Sequence, residues 1–377
     1  VAFYDDDGSD LLTGPNKPRI RQIAASDSAG NQGSSPLSST TYFVSTDNRL
    51  WVCGYDYYGQ QCRASSPATY TTTAQEIPLS QFGNKGVSSV FPTPDSVYVL
   101  TIDGKLWYAG SNYYGQANNG SASNGTVADF VSTPYDMTSN ANSTLSGKKV
   151  VCCAPCSAGQ ASSAGVYVLD QDGKVHYCGY SDGYGWNKGI TNSGDPDAGT
   201  LVLAENIVNS VGLRNAANTI NSDNQKVVSI WCSGGWYGGA YFVTDGGDSN
   251  QPKVYSCGYN YFGTTGAGNG AQNVSQATVV GSASQYPQGV EEVQFLSYGY
   301  MPGSSAGFAG TTDDNNSALV DTQWSAAMRN RMDIGRIVYI SPGGGYGVGN
   351  YDYVTFMLDE HGRCYWTGYM PLQSTCI

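Results

Sequence analysis

Charge is scarce in this chain. Only 13% of its 377 residues are Asp, Glu, Lys or Arg, and their balance is a net −12. A DNA- or RNA-binding face needs clustered Lys and Arg, so the composition argues against a nucleic-acid partner. Glutamate is down to five residues, Glu76, Glu205, Glu291, Glu292 and Glu360, and histidine to two, His176 and His361. That leaves little for acid–base or nucleophilic catalysis, and no enzyme is expected. No apolar run approaches the roughly 18 residues of a membrane span. The chain begins at Val1 with neither an initiator Met nor a signal-peptide pattern, which reads as a processed or truncated start.

What is abundant is glycine, with 49 residues, and tyrosine, with 29. Such a composition favours short strands and frequent turns, an all-β chain. The order of residues says more. Five segments share one pattern: residues 41–60, 97–116, 166–185, 240–263 and 354–369. Each reads as an apolar strand, a tight acidic turn, a return strand, a glycine and an aromatic loop. In Val97-Tyr98-Val99-Leu100 successive side chains point to opposite faces, as a strand requires. Asp103-Gly104, Asp172-Gly173 and Asp245-Gly246 suit type I′ hairpin turns. Upstream of each copy lies another apolar run, at 20–23, 87–90, 150–153, 227–230 and 336–340. Three strands per repeat, recurring at long period, predict the blades of a β-propeller, a single domain over 1–377.

The repeats end near Gly54, Gly110, Gly179, Gly258 and Gly368. The intervals are 56, 69, 79 and 110 residues, and the last is about twice the first. A degenerate repeat is therefore expected at 290–335, with its first strand at Val290–Leu296. Six blades of about 50–60-residue repeats are preferred, with seven as the alternative. Phe3-Tyr4-Asp5-Asp6-Asp7-Gly8 lines up with a repeat end, so residues 1–19 are expected to close the ring by completing a blade begun elsewhere.

At residues 97–120 the pattern, with Asp103-Gly104-Lys105-Leu106-Trp107 and Ser111-Asn112-Tyr113-Tyr114-Gly115-Gln116, resembles the regulator of chromosome condensation repeat. The resemblance implies a β-propeller, usually of seven four-stranded blades. The family's founding activity is guanine nucleotide exchange coupled to chromatin binding, and no residue here matches that activity. Other relatives are secreted propellers that bind proteins, and the chain looks more like these. Its sparse Lys and its Asn, Ser, Thr and Gly loops also resemble virion-surface proteins.

Most reactive residues have a plainer reading. His176 takes a strand slot held elsewhere by Trp107 or Tyr255, and His361 lies in a turn. Asp5–Asp7 and Asp313–Asn316 lack the spaced ligands of a calcium loop and read as solvated turns. Cys152, Cys153 and Cys156 lack a fourth zinc ligand, so no metal or cofactor is expected. Cys53 with Cys62, and Cys364 with Cys376, bracket equivalent loops and are candidate disulfides. Cys156 with Cys178 recurs as Cys232 with Cys257. First and third strands stand about 9–10 Å apart, beyond the roughly 7 Å Cα limit, so loop curvature would have to close that gap.

The candidate binding residues are aromatic: Tyr57, Tyr58, Tyr113, Tyr114, Tyr184, Trp186 and Tyr261 in the repeated loops, and Trp236, Tyr237 and Tyr346 in loops peculiar to one copy. Tyr gives a large rigid contact area at low entropic cost and suits a protein or surface-glycan partner. Inter-blade packing of the rings is the competing role. The reading is a non-catalytic extracellular or virion-surface propeller for recognition or assembly, in which the partner includes further copies of itself. A secreted inhibitor is the alternative, and a hydrolase with paired carboxylates the third.

Overall fold

Runs that are apolar at nearly every position, bounded by turn residues, make strands buried on both faces. The computed structural model describes residues 3–4, 18–26, 39–63, 70–112, 114–120, 130–157, 164–179, 202–203, 225–232, 239–247, 253–259, 273–279, 297–300, 337–341, 353–359 and 364–369. These residues form five sheets. The first contains β1 (Phe3–Tyr4), β2 (Ile20–Ala25), β3 (Thr40–Ser45), β4 (Leu50–Tyr55) and β5 (Tyr70–Ile77) in the order β1-β5-β4-β3-β2. The second is β6 (Val87–Pro92), β7 (Ser96–Thr101), β8 (Leu106–Ser111) and β9 (Phe130–Asp136), and the third β10 (Val150–Ser157), β11 (Ala164–Asp170), β12 (Val175–Gly179) and β13 (Val202–Leu203). The fourth is β14 (Val227–Cys232), β15 (Gly239–Thr244), β16 (Val254–Tyr259) and β17 (Asn273–Val279). The fifth joins β18 (Ser297–Tyr300), β19 (Ile337–Ser341), β20 (Tyr353–Asp359) and β21 (Cys364–Tyr369) in the order β18-β21-β20-β19.

The chain divides into two compact units, one holding the first two sheets and most of the third, the other holding the last two. In the first unit, Tyr42, Val44, Leu50 and Val52 of one sheet pack with Val87, Val90, Val97 and Val99 of the next. The opposite face of that second sheet, through Tyr98, Leu100, Leu106 and Tyr108, packs with Val150, Cys153, Val166 and Val168. In the second unit Tyr241, Val243 and Val254 meet Ile337, Ile340 and Met357. Each fully buried Val or Leu contributes about 1.5–3 kcal/mol, which is why both faces of these strands read as apolar.

One expectation changes. The N-terminal segment was expected to complete a blade begun elsewhere. Instead β1 runs parallel to β5 and extends the sheet of the first repeat, hydrogen-bonding that sheet's otherwise open edge. The fourth strand of the last sheet is β18, parallel to β21. The degenerate repeat expected at 290–335 lies outside the described residues except for this strand, which joins the fifth sheet.

The turns differ from type I′ as well. Gly104 has φ 86°, yet Asp103 is not among the residues with positive φ. The Gly104 N–H donates to the Thr101 carbonyl at 3.0 Å, and the Thr101 N–H to the Lys105 carbonyl at 2.9 Å. This is a three-residue loop with one left-handed glycine. The Asp is there for its carboxylate, which accepts the Thr101 hydroxyl at 2.6 Å.

Candidate functional site

After its third strand each of the first two repeats makes the same compact loop. In repeat one the Asp56 carboxylate accepts the Gln61 N–H at 2.8 Å, and the Gln60 side-chain Oε1 accepts the Tyr58 N–H at 2.8 Å. In repeat two Asn112 accepts the Ala117 N–H at 2.9 Å, and Gln116 accepts the Tyr114 N–H at 2.8 Å. Gln60 and Gln116 are both buried. The core phenol of Tyr42 donates to the Gln60 carbonyl at 2.7 Å. Gln61 Nε2 donates to the Gly54 carbonyl at 2.8 Å and to the Thr71 hydroxyl at 3.2 Å. The loop is thus fixed from below; the copies share Tyr-Tyr-Gly-Gln at 57–60 and 113–116 and differ at Tyr55 against Ser111.

Repeat one presents a tyrosine cluster. Tyr57 stacks on Tyr55 with ring centroids 6.0 Å apart and planes 10° apart. Tyr58 meets Tyr57 edge-on at 4.9 Å. Tyr57 is 39% exposed and Tyr70 75%. Tyr70 lies directly across from Tyr55 in the β4–β5 register, so their side chains share one face of the sheet. Burial raises the phenol pKa values of Tyr55 and Tyr58; Tyr57 adds to the first, and Asp95 and the two neighbouring phenols to the second. Burial also raises the Asp56 pKa against the lowering effect of the Gln61 N–H and Arg63. Repeat two places Ser111 where repeat one has Tyr55.

Of the expected binding residues, Tyr57 and Tyr58 come together, and Tyr114 is half-buried on its own loop. Tyr113, Tyr184, Trp186, Trp236, Tyr237, Tyr261 and Tyr346 lie outside the described residues, as does His361. Tyr70 was missed. It sits on the fourth strand, where the repeat has no motif, and only the register sets it beside Tyr55.

The disulfide candidates are corrected. Cys53 and Cys62 are thiols. Cys53 packs against Phe43 and Trp51 on one face of the first sheet, and Cys62 joins Tyr42 and Val44 on the other. Cys156 and Cys232 are disulfide-bonded, whereas Cys178 and Cys257 are thiols. The register explains why repeat four has no internal bridge: Ala240 pairs with both Cys232 and Cys257 and stands between them. Cys364 is on β21, and Cys376 lies outside the described residues.

His176 has both ring nitrogens engaged, with Nε2 3.1 Å from Asp170 Oδ2 and Nδ1 2.7 Å from the Thr144 hydroxyl. Carboxylate, imidazole and hydroxyl are the parts of a nucleophilic relay. Here they fill repeat slots. Ser45, Thr101 and Thr244 each bond the far side of their hairpin through a hydroxyl at the position of Asp170. A carboxylate cannot donate to the carbonyl across the hairpin as the Thr101 hydroxyl does, and Asp170 Oδ2 lies 3.1 Å from His176 Nε2. Among the described residues no group of three or more His, Cys, Asp and Glu is placed to hold a metal ion, and no helix is long and apolar enough to cross a membrane.

No family model matches the chain, and no curated protein matches it. Solved structures do. Yeast RCC1 (Prp20), solved bound to Kap60, is 15% identical with a TM-score of 0.53, over 94% of this chain and 56% of that one. Human WBSCR16 is 17% identical with a TM-score of 0.46, over 70% and 53%. The C-terminal domain of gp131 from bacteriophage phiKZ is 11% identical with a TM-score of 0.34, over 93% and 81%. The chain spans just over half the length of the first two. The likeness to yeast RCC1 is one of fold, and together with the repeated four-stranded sheets it makes this an all-β propeller of the RCC1-like kind.

Proposed function

We propose that this chain is a non-catalytic recognition propeller, carried outside the cell or on a virion surface, and that it meets its partner through the tyrosine cluster of its first repeat. One observation carries the reading. On the hydrogen-bonded frame that two loops share, the first repeat carries a packed Tyr55–Tyr57–Tyr58 cluster beside Tyr70, with Tyr57 and Tyr70 exposed. A scaffold that needs only the frame has no use for exposed rings, whose burial at an interface brings large contact area at little entropic cost. Yeast RCC1, a solved propeller of similar fold, is itself captured with Kap60 bound. The half-cystines Cys156 and Cys232 support an oxidising setting.

The test is capture. The intact chain, immobilised, is exposed to an extract of its native source, and the bound material is compared with that held by the Tyr57→Ser/Tyr70→Ser variant. Both rings are exposed, so the variant is expected to melt within a few degrees of the parent. Retention of the partner is expected to fall by at least about tenfold. Unchanged capture by a folded variant overturns the assignment of the surface.

A further inference from the structure

We infer that the ligand of the Tyr55–Tyr57–Tyr58–Tyr70 surface is an uncharged glycan, stacked by the carbon-bound hydrogens of a pyranose ring on the exposed part of Tyr57. The inference rests on the recognition reading above and narrows it to a ligand class.

Composition is the first argument. Among the described residues from Tyr55 to Arg63 and along β5, the large hydrophobic side chains that are exposed are Tyr57 and Tyr70. Dry protein interfaces anchor on rings and aliphatics that fill a pocket and exclude water. A surface of phenols does something else. Its faces are apolar, its rims carry hydroxyls, and it stays wet at the edges. A sugar ring has the matching pattern, with an apolar face and hydroxyls around it.

Charge is the second. Two acids that the described residues place by the rings, Asp56 and Asp95, are held by hydrogen bonds of their own. Asp56 is 2% exposed and accepts the Gln61 N–H, and Asp95 accepts the Thr93 hydroxyl at 3.0 Å. Among the described residues of the loop, a basic peptide finds no exposed carboxylate to pair with. Sialylated or sulfated sugars and acidic proteins meet a chain of net charge −12. Repulsion of like charge disfavours them, and a neutral ligand escapes both penalties.

Rigidity is the third. Tyr57 is held by a parallel ring behind it and an edge-on ring beside it, on a loop whose backbone is fixed by Asp56, Gln60 and Gln61. Little conformational freedom remains to be lost on binding, which matters most for a small, weakly bound sugar.

The intact chain is tested by saturation-transfer NMR against neutral oligomers of glucose, mannose, galactose and N-acetylglucosamine, with sialylated oligosaccharides alongside. Transfer to the ring hydrogens of at least one neutral sugar is expected. Tyr57→Phe, which keeps the stack, retains affinity within about threefold, and Tyr57→Ala loses at least about tenfold. Transfer only to sialylated sugars overturns the inference. So does absence of transfer to any sugar. If capture of a protein partner nonetheless depends on Tyr57, the recognition reading survives and the glycan assignment alone falls. If neither sugar nor protein depends on Tyr57, both fall.

Discussion

Asp170 and His176 show how a repeat absorbs a chemically suggestive pair. The slot held by Ser45, Thr101 or Thr244 holds Asp170, and the slot held by Trp51, Trp107 or Tyr255 holds His176, in the same repeat. Both are 1% exposed. Removing the imidazole takes a hydrogen bond from a buried carboxylate, so His176→Ala is expected to cost about 3–5 kcal/mol by urea denaturation. Asp170→Thr/His176→Tyr restores the pair that repeat four carries and is expected to recover most of that loss. A double variant as unstable as the single one would show that the pair does more than fill its slots. The sequence made His176 legible as a strand residue, because the slot recurs. Its bond to Thr144 was not legible, since Thr144 belongs to a loop outside the motif. The cysteines misled for a related reason. Equivalent positions in two repeats do suggest equivalent chemistry, but Ala240 between Cys232 and Cys257 is a fact of register that spacing does not reveal.

Repeats are joined by a junction that the hairpins build. The Asn48 carbonyl accepts the Val87 N–H at 2.8 Å, the Gly104 carbonyl the Val150 N–H at 2.8 Å, and the Gly173 carbonyl the Val227 N–H at 3.2 Å. The left-handed turn residue of one repeat thus starts the first strand of the next. Close approach limits what can sit there. A Cβ on Gly104 would stand 2.9 Å from the Lys149 Cβ, one on Gly173 2.6 Å from the Lys226 Cβ, and one on Gly86 2.8 Å from the Asn48 Cβ. Each junction therefore has room for one side chain and one glycine. Gly86→Lys alone is expected to destabilise by about 1–3 kcal/mol through overpacking. Asn48→Gly/Gly86→Lys, which copies the Gly104–Lys149 junction, is expected to regain most of it as a favourable coupling in a double-mutant cycle. Additive losses would show that the junctions are not interchangeable. The hairpin strands, the upstream strands and the closing glycines were all readable from recurrence. The turn type was not, because Asp-Gly satisfies either geometry and the Thr101 hydroxyl decides between them. The parallel strand β1 was misplaced and β18 was not foreseen, because two- and four-residue strands carry no periodicity of their own.

Across the whole chain, recurrence identifies the scaffold, and the structure shows which of the recurring aromatic residues meet on its surface. An RCC1-like propeller was legible in the repeated strand–turn–strand–glycine pattern, at a sequence identity of only 15% to yeast RCC1. The aromatic loops were legible as a group, yet the cluster that the structure assembles needed Tyr70, which only the β4–β5 pairing places beside Tyr55. The central claim is that recognition lies in this cluster while the shared frame beneath it is structural. Amide hydrogen exchange followed by mass spectrometry, on the intact chain with and without the material it captures from its native source, tests it most directly. The account predicts slowed exchange concentrated at residues 55–62 and 70–72, with the hairpin turns at 46–49 and 102–105 unchanged. Protection at those turns, with 55–62 exchanging as in the unbound chain, would contradict it.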